Sequence, residues 1–174
     1  MLTLLDIRNV VLIEALSLDF AAGLSVLTGE TGAGKSILLD ALGLALGARA
    51  DAGLVRAGSE AARVAAEFDV AADHPARLLL AANDIDCYGP IIVRRQLKAD
   101  GGSRAHVNDQ PVSATLLREV GAALVEIHGQ SDDRGLLAAR GHRALLDGFG
   151  GLGREVAAVR AAWAAWSRAG AAEA

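Results

Sequence analysis

Cysteine, lysine and aromatic residues are scarce in this chain of 174 residues. Cys87 is the single cysteine, so an internal disulfide framework is excluded and a reducing compartment is favoured. Aromatic residues make up only 3% of the chain, which argues against a platform that stacks nucleic-acid bases. The net charge of −4 likewise argues against a chain that binds nucleic acid over its whole surface.

Long apolar runs are also missing, although 52% of the residues are hydrophobic. Alanine accounts for much of that content, and no uninterrupted stretch is long enough to cross a bilayer. The N-terminus lacks the basic region of a signal peptide and soon carries Asp6. The sequence therefore predicts no membrane partner and a cytoplasmic location, with enough length for one domain and an appendage.

Residues 29–36 contain the most informative motif, a complete match to the phosphate-binding P-loop G-x-x-x-x-G-K-[ST]. Its members are Gly29, Glu30, Thr31, Gly32, Ala33, Gly34, Lys35 and Ser36. In such a loop the glycines let backbone N–H groups converge on the phosphates. The lysine, here Lys35, reaches the β- and γ-phosphates, and the hydroxyl of Ser36 ligates Mg²⁺. The motif therefore predicts binding of ATP with Mg²⁺.

The residues around this loop have the pattern that the motif requires. Residues 24–28 form a short apolar run typical of a buried strand. From Ser36 onward the apolar residues recur at helical spacing to about Leu46, and Gly47 is suited to end the helix. We therefore expect a strand, the loop and a helix in succession.

The remaining pattern indicates an α/β fold. Partial alternation predicts strands over residues 2–8 and 12–20, before the P-loop, and another over 63–70. A short helix is expected from Pro75 to Ala82. Residues 91–98 and 103–108 flank Asp100-Gly101-Gly102 and predict a hairpin. Ser113 is a candidate N-cap for a helix to about Gly121. A buried strand is expected over 124–128, followed by a helical stretch capped by Ser131.

The final segment carries larger apolar residues at the spacing of a heptad seam, at Leu152, Val156, Val159, Trp163 and Trp166. This spacing predicts the start of a coiled-coil arm over residues 151–174, after a domain of residues 1–150. An ordinary amphipathic helix packed on the domain is the alternative, because two heptads do not distinguish the two.

Several of these runs together resemble the N-terminal head half of the RecN family, bacterial DNA-repair ATPases of the SMC (structural maintenance of chromosomes) type. The resemblance covers nearly the whole chain and is densest from Leu27 to Leu42. It extends through residues 46–51 (LGARAD), 107–112 (VNDQPV) and 127–130 (IHGQ). The run from Thr28 to Asp51 is more specific than the P-loop alone.

The resemblance implies a P-loop NTPase fold of the ABC-ATPase type, a half-head with an antiparallel β subdomain, split from its C-terminal half by a long coiled coil. It implies that Gln130 is the Q-loop glutamine, which contacts Mg²⁺ and the attacking water. A neutral amide suits that role because it ligates the metal or orients water without adding charge. The resemblance also puts Arg8 and Asn9 near the nucleotide.

Further basic residues have candidate roles, two from the same resemblance and the others from their place on the hairpin. Arg49 and Arg56 follow the P-loop helix, where related heads have arginines near DNA or the partner head. Arg94 and Arg95, together with Lys98 and Arg104, would form a local basic face on the hairpin. The alternative is that these side chains protect a solvated strand edge from pairing. The partners implied are a second head of the same protein, the C-terminal half of its own head, and DNA.

Two motifs that such heads need for hydrolysis are missing. No apolar strand ending in Asp-Glu follows Gln130, so the Walker B carboxylates are absent, and there is no Leu-Ser-Gly-Gly signature. Hydrolysis requires a held metal, an oriented water and neutralised γ-phosphate charge. We therefore expect this chain to bind ATP with Mg²⁺ weakly and to hydrolyse it negligibly, while the full-length protein is an ATPase in double-strand break repair.

Two other classes of protein are compatible with the P-loop. A small kinase for a nucleoside or metabolite fits the length, although such enzymes usually begin directly with the P-loop strand. A non-enzymatic, dimerising structural module with a vestigial loop is the second. A GTPase is less favoured, because Lys98 is the only lysine outside the P-loop and the Asn-Lys-x-Asp guanine motif is absent.

Overall fold

Alternating apolar and polar residues build an antiparallel sheet of six strands, in the order β2-β1-β3-β4-β5-β6. The strands are β1 (Leu2–Val10), β2 (Ile13–Asp19), β3 (Ala61–Phe68), β4 (Ile91–Lys98), β5 (Ser103–Val107) and β6 (Gln110–Val112). The two strands expected before the P-loop and the hairpin expected across Asp100–Gly102 are therefore confirmed. At that hairpin the carboxylate of Asp100 accepts a hydrogen bond from the Gly102 N–H at 2.8 Å, which closes the turn.

The computed structural model describes residues 1–29, 34–127 and 139–172. The chain divides into two units, Met1–Ile127 and His128–Ala174. The sheet belongs to the first unit, together with α1 (Lys35–Ala45), α2 (Pro75–Ala81), α3 (Ala114–Leu124) and a short 3₁₀ turn (Ala52–Leu54). The second unit contains α4 (Ala139–Phe149) and α5 (Gly153–Ala172). No helix among these described residues has the length and apolarity needed to span a membrane.

One face of the sheet is covered by helices and the other faces solvent. Helix α1 contacts β1, β3 and β4, and α3 contacts β5 and α2. The covered face and the helices on it supply the largest fully buried side chains, among them Ile7, Leu44, Phe68, Leu80, Ile91, Leu97 and Leu117. Each such side chain contributes about 1.5–3 kcal/mol by leaving water. The helix expected after the P-loop is thus held on the sheet by its apolar side.

The expected helix ends agree with the structure in three places. Gly47 follows the last residues of α1 and has φ +92°, as a helix-ending residue should. His74 caps α2 by accepting a hydrogen bond from the Ala76 N–H through Nδ1. Ser113 caps α3, since its Oγ accepts from the Leu116 N–H at 3.1 Å.

The expectation of a strand over residues 24–28 is wrong. These residues form no strand, and Leu24 and Val26 are 93% and 70% exposed. An apolar run becomes a strand only when a neighbour supplies hydrogen-bond partners for its backbone. Within the described part of the chain no strand pairs with this run, so it forms no strand and its side chains stay exposed.

The expectation of a strand over residues 124–128 is also wrong for the residues that are described. Helix α3 continues through Leu124, and residues 125–127 form no strand. His128 and the stretch that Ser131 was expected to cap lie outside the described residues. The helix begun by Ser113 is therefore longer than the sequence pattern suggested.

The helix expected from Leu152 onward is confirmed as α5. Its seam residues Val159, Trp163 and Trp166 are 58%, 65% and 67% exposed. The two tryptophan rings contact each other, with centroids 4.9 Å apart. The assignment of this helix to a coiled-coil arm stays a prediction, as do the boundaries proposed at residues 150 and 151.

Candidate nucleotide-binding site

The P-loop ends where α1 begins. Gly34 is the N-cap of α1, and its φ of +90° is a conformation that side chains with a Cβ rarely adopt. Lys35 and Ser36 are therefore the first two residues of the helix. The Lys35 side chain is half-buried and Ser36 is exposed. Glu30, Thr31, Gly32 and Ala33 lie outside the described residues.

The positive potential at the start of α1 comes from the helix itself and from Lys35. Among the described residues no side chain caps the helix there, and its first turn contains no acidic residue. A helix N-terminus presents backbone N–H groups and the positive end of the helix dipole. The Lys35 ammonium adds a full charge, and its Nζ donates a hydrogen bond to the carbonyl of Gly29. This bond brings the first glycine of the motif to its lysine, and the combination favours a phosphate group.

The other end of α1 is fixed by close contact with α3. A Cβ at Gly121 would lie 2.3 Å from the carbonyl oxygen of Leu46, which is too close for any side chain. Gly47 makes a similar approach to the backbone of Arg118, where a Cβ would lie 2.6 Å from the nitrogen. The buried residues Ala41, Leu44 and Ala45 hold the rest of the helix against the sheet. The position of Lys35 is thus set by packing far from the loop itself.

Arg8 and Asn9 lie at the end of β1, at the edge of another groove. The Arg8 guanidinium makes a two-point ion pair with Asp6, at 3.0 and 3.1 Å. Because Ile7 is fully buried, the alternation of the strand directs its neighbour Arg8 to the solvent face. The groove has a volume of about 660 Å³ and is lined also by Arg63 and Lys98, and by no described residue of the P-loop. Contact between Arg8 or Asn9 and a nucleotide stays a prediction.

The two arginines after α1 differ in their surroundings. Arg49 is exposed. Arg56 donates from Nη1 to the carbonyl of Leu12 at 2.8 Å, and its Nη2 lies 3.7 Å from Glu14. Arg56 therefore holds the turn between β1 and β2 in this structure. A role for either in binding DNA or a partner head stays a prediction, and Gln130 lies outside the described residues.

The basic face expected on the hairpin is divided between the two faces of the sheet. Arg94 is exposed and forms an ion pair with Asp109. Arg95, its neighbour, is only 5% exposed and lies on the covered face. The expectation that Arg95 belongs to a solvent-exposed basic face is therefore wrong, because successive residues of a strand point to opposite faces.

Sequence reasoning named Arg95 but missed its burial, and it did not single out Arg63. The alternation of β4 puts Arg95 on the same face as Val93 and Leu97, and that pattern was available in the sequence. The cross-strand pairing of Arg63 with Arg8 was not, because strand register between distant segments depends on the tertiary fold.

Comparison with known proteins connects this site to a family. A family model described as "AAA domain" matches residues 4–121. A protein named DNA repair protein RecN from Xylella fastidiosa (strain 9a5c) is 42% identical over 166 residues, which cover 95% of this chain and 30% of the relative. The RecN of Halalkalibacterium halodurans is 43% identical over 152 residues, covering 87% of this chain and 27% of the relative.

Solved structures show the same fold at low identity. One from work on ATP-driven dimerization and DNA-stimulated activation of SMC ATPases has a TM-score of 0.60 and 22% identity, and the match covers 84% of this chain and 97% of that one. At this identity the likeness concerns the fold alone. The chain spans about three tenths of the length of the RecN relatives it matches.

Proposed function

This chain belongs to the AAA domain family and is a RecN-like, SMC-type head fragment with a P-loop NTPase fold. On that premise we propose that it is the ATP-binding portion of an ATPase in double-strand break repair. One observation carries the proposal. Lys35 is the first residue of a helix that has no acid in its first turn and no capping side chain from the part of the chain that the structure describes. Such a terminus is suited to the charge of a polyphosphate.

Different residues of the loop would bind different parts of the nucleotide and its metal ion. Backbone N–H groups at the start of α1 would donate to the phosphates, and the Lys35 ammonium would neutralise the β- and γ-phosphate charge. The exposed Ser36 hydroxyl is suited to hold Mg²⁺, which supplies charge neutralisation between the phosphates when bound. Gln130 would orient the water. Nucleotide binding would replace the hydrogen bond from Lys35 to Gly29 with bonds to phosphate oxygens.

Hydrolysis is proposed for the full-length protein and not for this chain by itself. A metal-holding Asp, a catalytic carboxylate and a signature motif are not found in residues 1–174. The C-terminal half of the head would supply them. Its docking surface would include the exposed run of Leu24, Val26 and Leu27, because a neighbouring strand there would give the run its backbone partners and bury its side chains.

The wider assembly follows from the same proposal. Two heads would close over ATP and separate on hydrolysis, and a coiled coil beginning near residue 151 would carry that movement. Contacts with DNA or the partner head would be made by exposed or half-exposed cations of the first unit, namely Arg49, Arg56 and Arg94. The place of action would be the nucleoid, in the cytoplasm.

Nucleotide titration tests the binding step. We expect ATP to bind with Mg²⁺ and much more weakly without it. Lys35→Ala should weaken binding by about one to two orders of magnitude, because a charge-assisted contact is worth about 1.5–3 kcal/mol. Lys98→Ala is the matched control, since Lys98 is the only other lysine and is exposed on β4. Equal ATP affinity in the Lys35→Ala and unaltered chains would reject the site.

Phosphate release from ATP tests whether hydrolysis requires the C-terminal half of the head. The chain alone should release phosphate at a rate indistinguishable from buffer, and turnover should appear when the C-terminal portion of a RecN relative is added. Ordinary enzymatic turnover by the 174-residue chain alone, lost in Lys35→Ala, would contradict the half-site assignment.

A further inference from the structure

The solvent face of the sheet carries a row of long polar side chains that the strand register brings side by side. Arg8 of β1 lies opposite Arg63 of β3. Gln96 of β4 lies opposite Arg63 on one side and opposite Arg104 of β5 on the other. Residues directly opposite each other in an antiparallel sheet share a face. Because neighbouring strands are about 4.8 Å apart, the row spans about 14 Å.

Gln96 is the neutral centre of a group of cations. Its two cross-strand neighbours are arginines, and Arg94 and Lys98 lie two residues away along β4, on the same face. We call Gln96 and the exposed cations of this face the Gln96 cluster, whose cations are Arg8, Arg63, Arg94, Lys98 and Arg104. The whole chain has a net charge of −4, so the cluster is a local concentration of the opposite sign.

The charge of the cluster is only partly balanced. Arg8 and Arg94 form ion pairs with Asp6 and Asp109. Among the residues that the structure describes, no ion pair involves the remaining three cations, which are Arg63, Lys98 and Arg104. Like charges directly opposite each other destabilise a sheet, as Arg8 and Arg63 do here. An anion bound over the row would remove that repulsion.

The strand order excludes protection of a sheet edge as the role of these cations. The strands that carry them, β1, β3, β4 and β5, each pair with two neighbours, and the edges of the sheet are β2 and β6. Charged residues that block unwanted pairing lie on edge strands. The helices of the first unit pack on the opposite face, where the core residues lie. The cluster is therefore a feature of an open sheet face.

The cluster lines two adjoining grooves, with volumes of about 660 and 230 Å³. Gln96 and Lys98 belong to the wall of both, so an extended ligand passes from one groove to the other beside them. The acidic residues of the lining, Glu60 and Asp100, lie just before β3 and in the turn after β4. Negative charge in the grooves is thus confined to the end of the sheet at the hairpin turn.

We propose that the Gln96 cluster binds the phosphodiester backbone of DNA without regard to base sequence. The inference rests on the proposed function for the identity of this partner, and it assigns the partner to a surface separate from the P-loop. Repeating phosphate charges complement cations that recur from strand to strand. The Gln96 amide donates to a phosphate oxygen without adding charge.

The composition of the row favours a phosphate backbone over the other extended anions. An acidic protein partner would need buried aromatic or aliphatic anchors at the centre of its interface. No aromatic or aliphatic residue belongs to the row. Stacking of bases likewise needs aromatic side chains, which the cluster lacks. Phosphate contacts fix position and carry no sequence information, so binding is independent of sequence.

Fluorescence anisotropy of a short labelled DNA duplex tests the cluster. The Lys35→Ala chain without nucleotide is the parent, and the titration is repeated at several chloride concentrations. We expect saturable binding that weakens as salt rises. Arg63→Gln and Arg104→Gln should each weaken binding about five- to tenfold at about 0.1 M salt and lower the salt slope by about one, because each removes one phosphate contact.

A matched variant separates this surface from net charge. Arg160→Gln removes the same charge from an exposed position on α5 and should leave affinity unchanged. Arg63 and Arg104 are exposed, so their replacement leaves the core intact, which circular dichroism verifies. The proposal would be overturned by absence of saturable binding in the parent, by unchanged affinity in the Arg63→Gln, Arg104→Gln double variant, or by an equal loss in Arg160→Gln.

Competition identifies the chemistry that is recognised. Unlabelled duplexes of two unrelated sequences should compete equally, and an oligonucleotide with a neutral methylphosphonate backbone should not compete. Competition by the neutral backbone, or a strong preference for one sequence, would overturn recognition of the phosphodiester. Polyglutamate as effective as DNA would instead assign the cluster to an acidic protein. Because the parent lacks Lys35 and no ATP is present, failure of ATP binding at the P-loop would leave these results untouched.

Discussion

Gly121 of α3 lies against the carbonyl oxygen of Leu46, so closely that a Cβ at position 121 would be 2.3 Å from that oxygen. The contact joins α3 to the end of the helix that Lys35 begins. Distances this short are possible only without a side chain, and both partners are backbone or near-backbone atoms that cannot rotate away. The position of the candidate phosphate site therefore depends on a residue remote from it.

Replacing that glycine should separate the two helices. We expect Gly121→Ala to lower the free energy of unfolding by about 2–3 kcal/mol, because overpacking forces a backbone shift. Urea denaturation followed by circular dichroism measures this change. Gly43→Ala in α1 is the control: its Cβ would meet Ala48 at an ordinary 3.8 Å, so it should be neutral or slightly stabilising. Similar losses in both variants would contradict the role of the contact.

Arg77 should be a strong determinant of stability. Its guanidinium donates to the carbonyls of Val70, Cys87 and Gly89, at 3.0, 2.6 and 2.8 Å, and so joins both ends of the segment around α2. We expect Arg77→Met to cost about 2–3 kcal/mol of unfolding free energy, since several charge-assisted bonds are lost.

Lysine provides the matched variant for Arg77. An ammonium lacks the planar fork that reaches three carbonyls at once, so Arg77→Lys should recover little of the lost stability. Thermal melting of the three proteins gives the comparison. Full recovery by lysine would show that charge alone, and not the geometry of the guanidinium, holds the segment.

Replacing Arg95, unlike replacing Arg77, should not lower the free energy of unfolding. Its side chain is buried with one unsatisfied nitrogen and a lowered pKa caused by burial and by Arg118. Replacing a buried, uncompensated charge with an apolar side chain of similar volume is often neutral or stabilising. We therefore expect Arg95→Met to leave the unfolding free energy unchanged or to raise it by up to about 2 kcal/mol. Chemical denaturation of the unaltered chain and of Arg95→Met measures the difference. A loss of several kcal/mol in Arg95→Met would mean that the guanidinium stabilises the fold by itself.

The two tryptophans should report on what covers α5. Trp163 and Trp166 are the only tryptophans of the chain and are about two-thirds exposed. We expect their fluorescence to be quenched readily by acrylamide and to shift little on unfolding in urea. A blue-shifted emission that resists acrylamide would show that another helix covers the seam, as a coiled-coil partner would.

Much of the fold could be predicted from short-range pattern. The hairpin around Asp100–Gly102 and the cap at Ser113 depend on residues a few positions apart, whose backbone preferences act locally. The end of α1 at Gly47 is likewise set by a local backbone preference. The P-loop was evident for a similar reason, because contiguous residues supply its whole chemistry.

The strand expected at residues 24–28 failed for the opposite reason. An apolar run carries the same signal whether or not a partner strand lies beside it, and a strand requires that partner for its backbone N–H and C=O groups. The strand propensity of the segment therefore showed that it is able to form a strand, and not that it forms one in this structure. The same holds for residues 124–127, where continuation of α3 satisfied the backbone of Leu124 first.

By itself, the sequence determined that a phosphate-binding loop leads into a helix, since eight consecutive residues contain every group involved. Only the tertiary structure decided which elements cover the sheet and which helix supports α1. The alternation of β4 separates Arg94 from its neighbour Arg95, and the elements packed on the covered face leave one in water and bury the other. Burial depends on what packs against a face from far along the chain, and no local pattern contains that information.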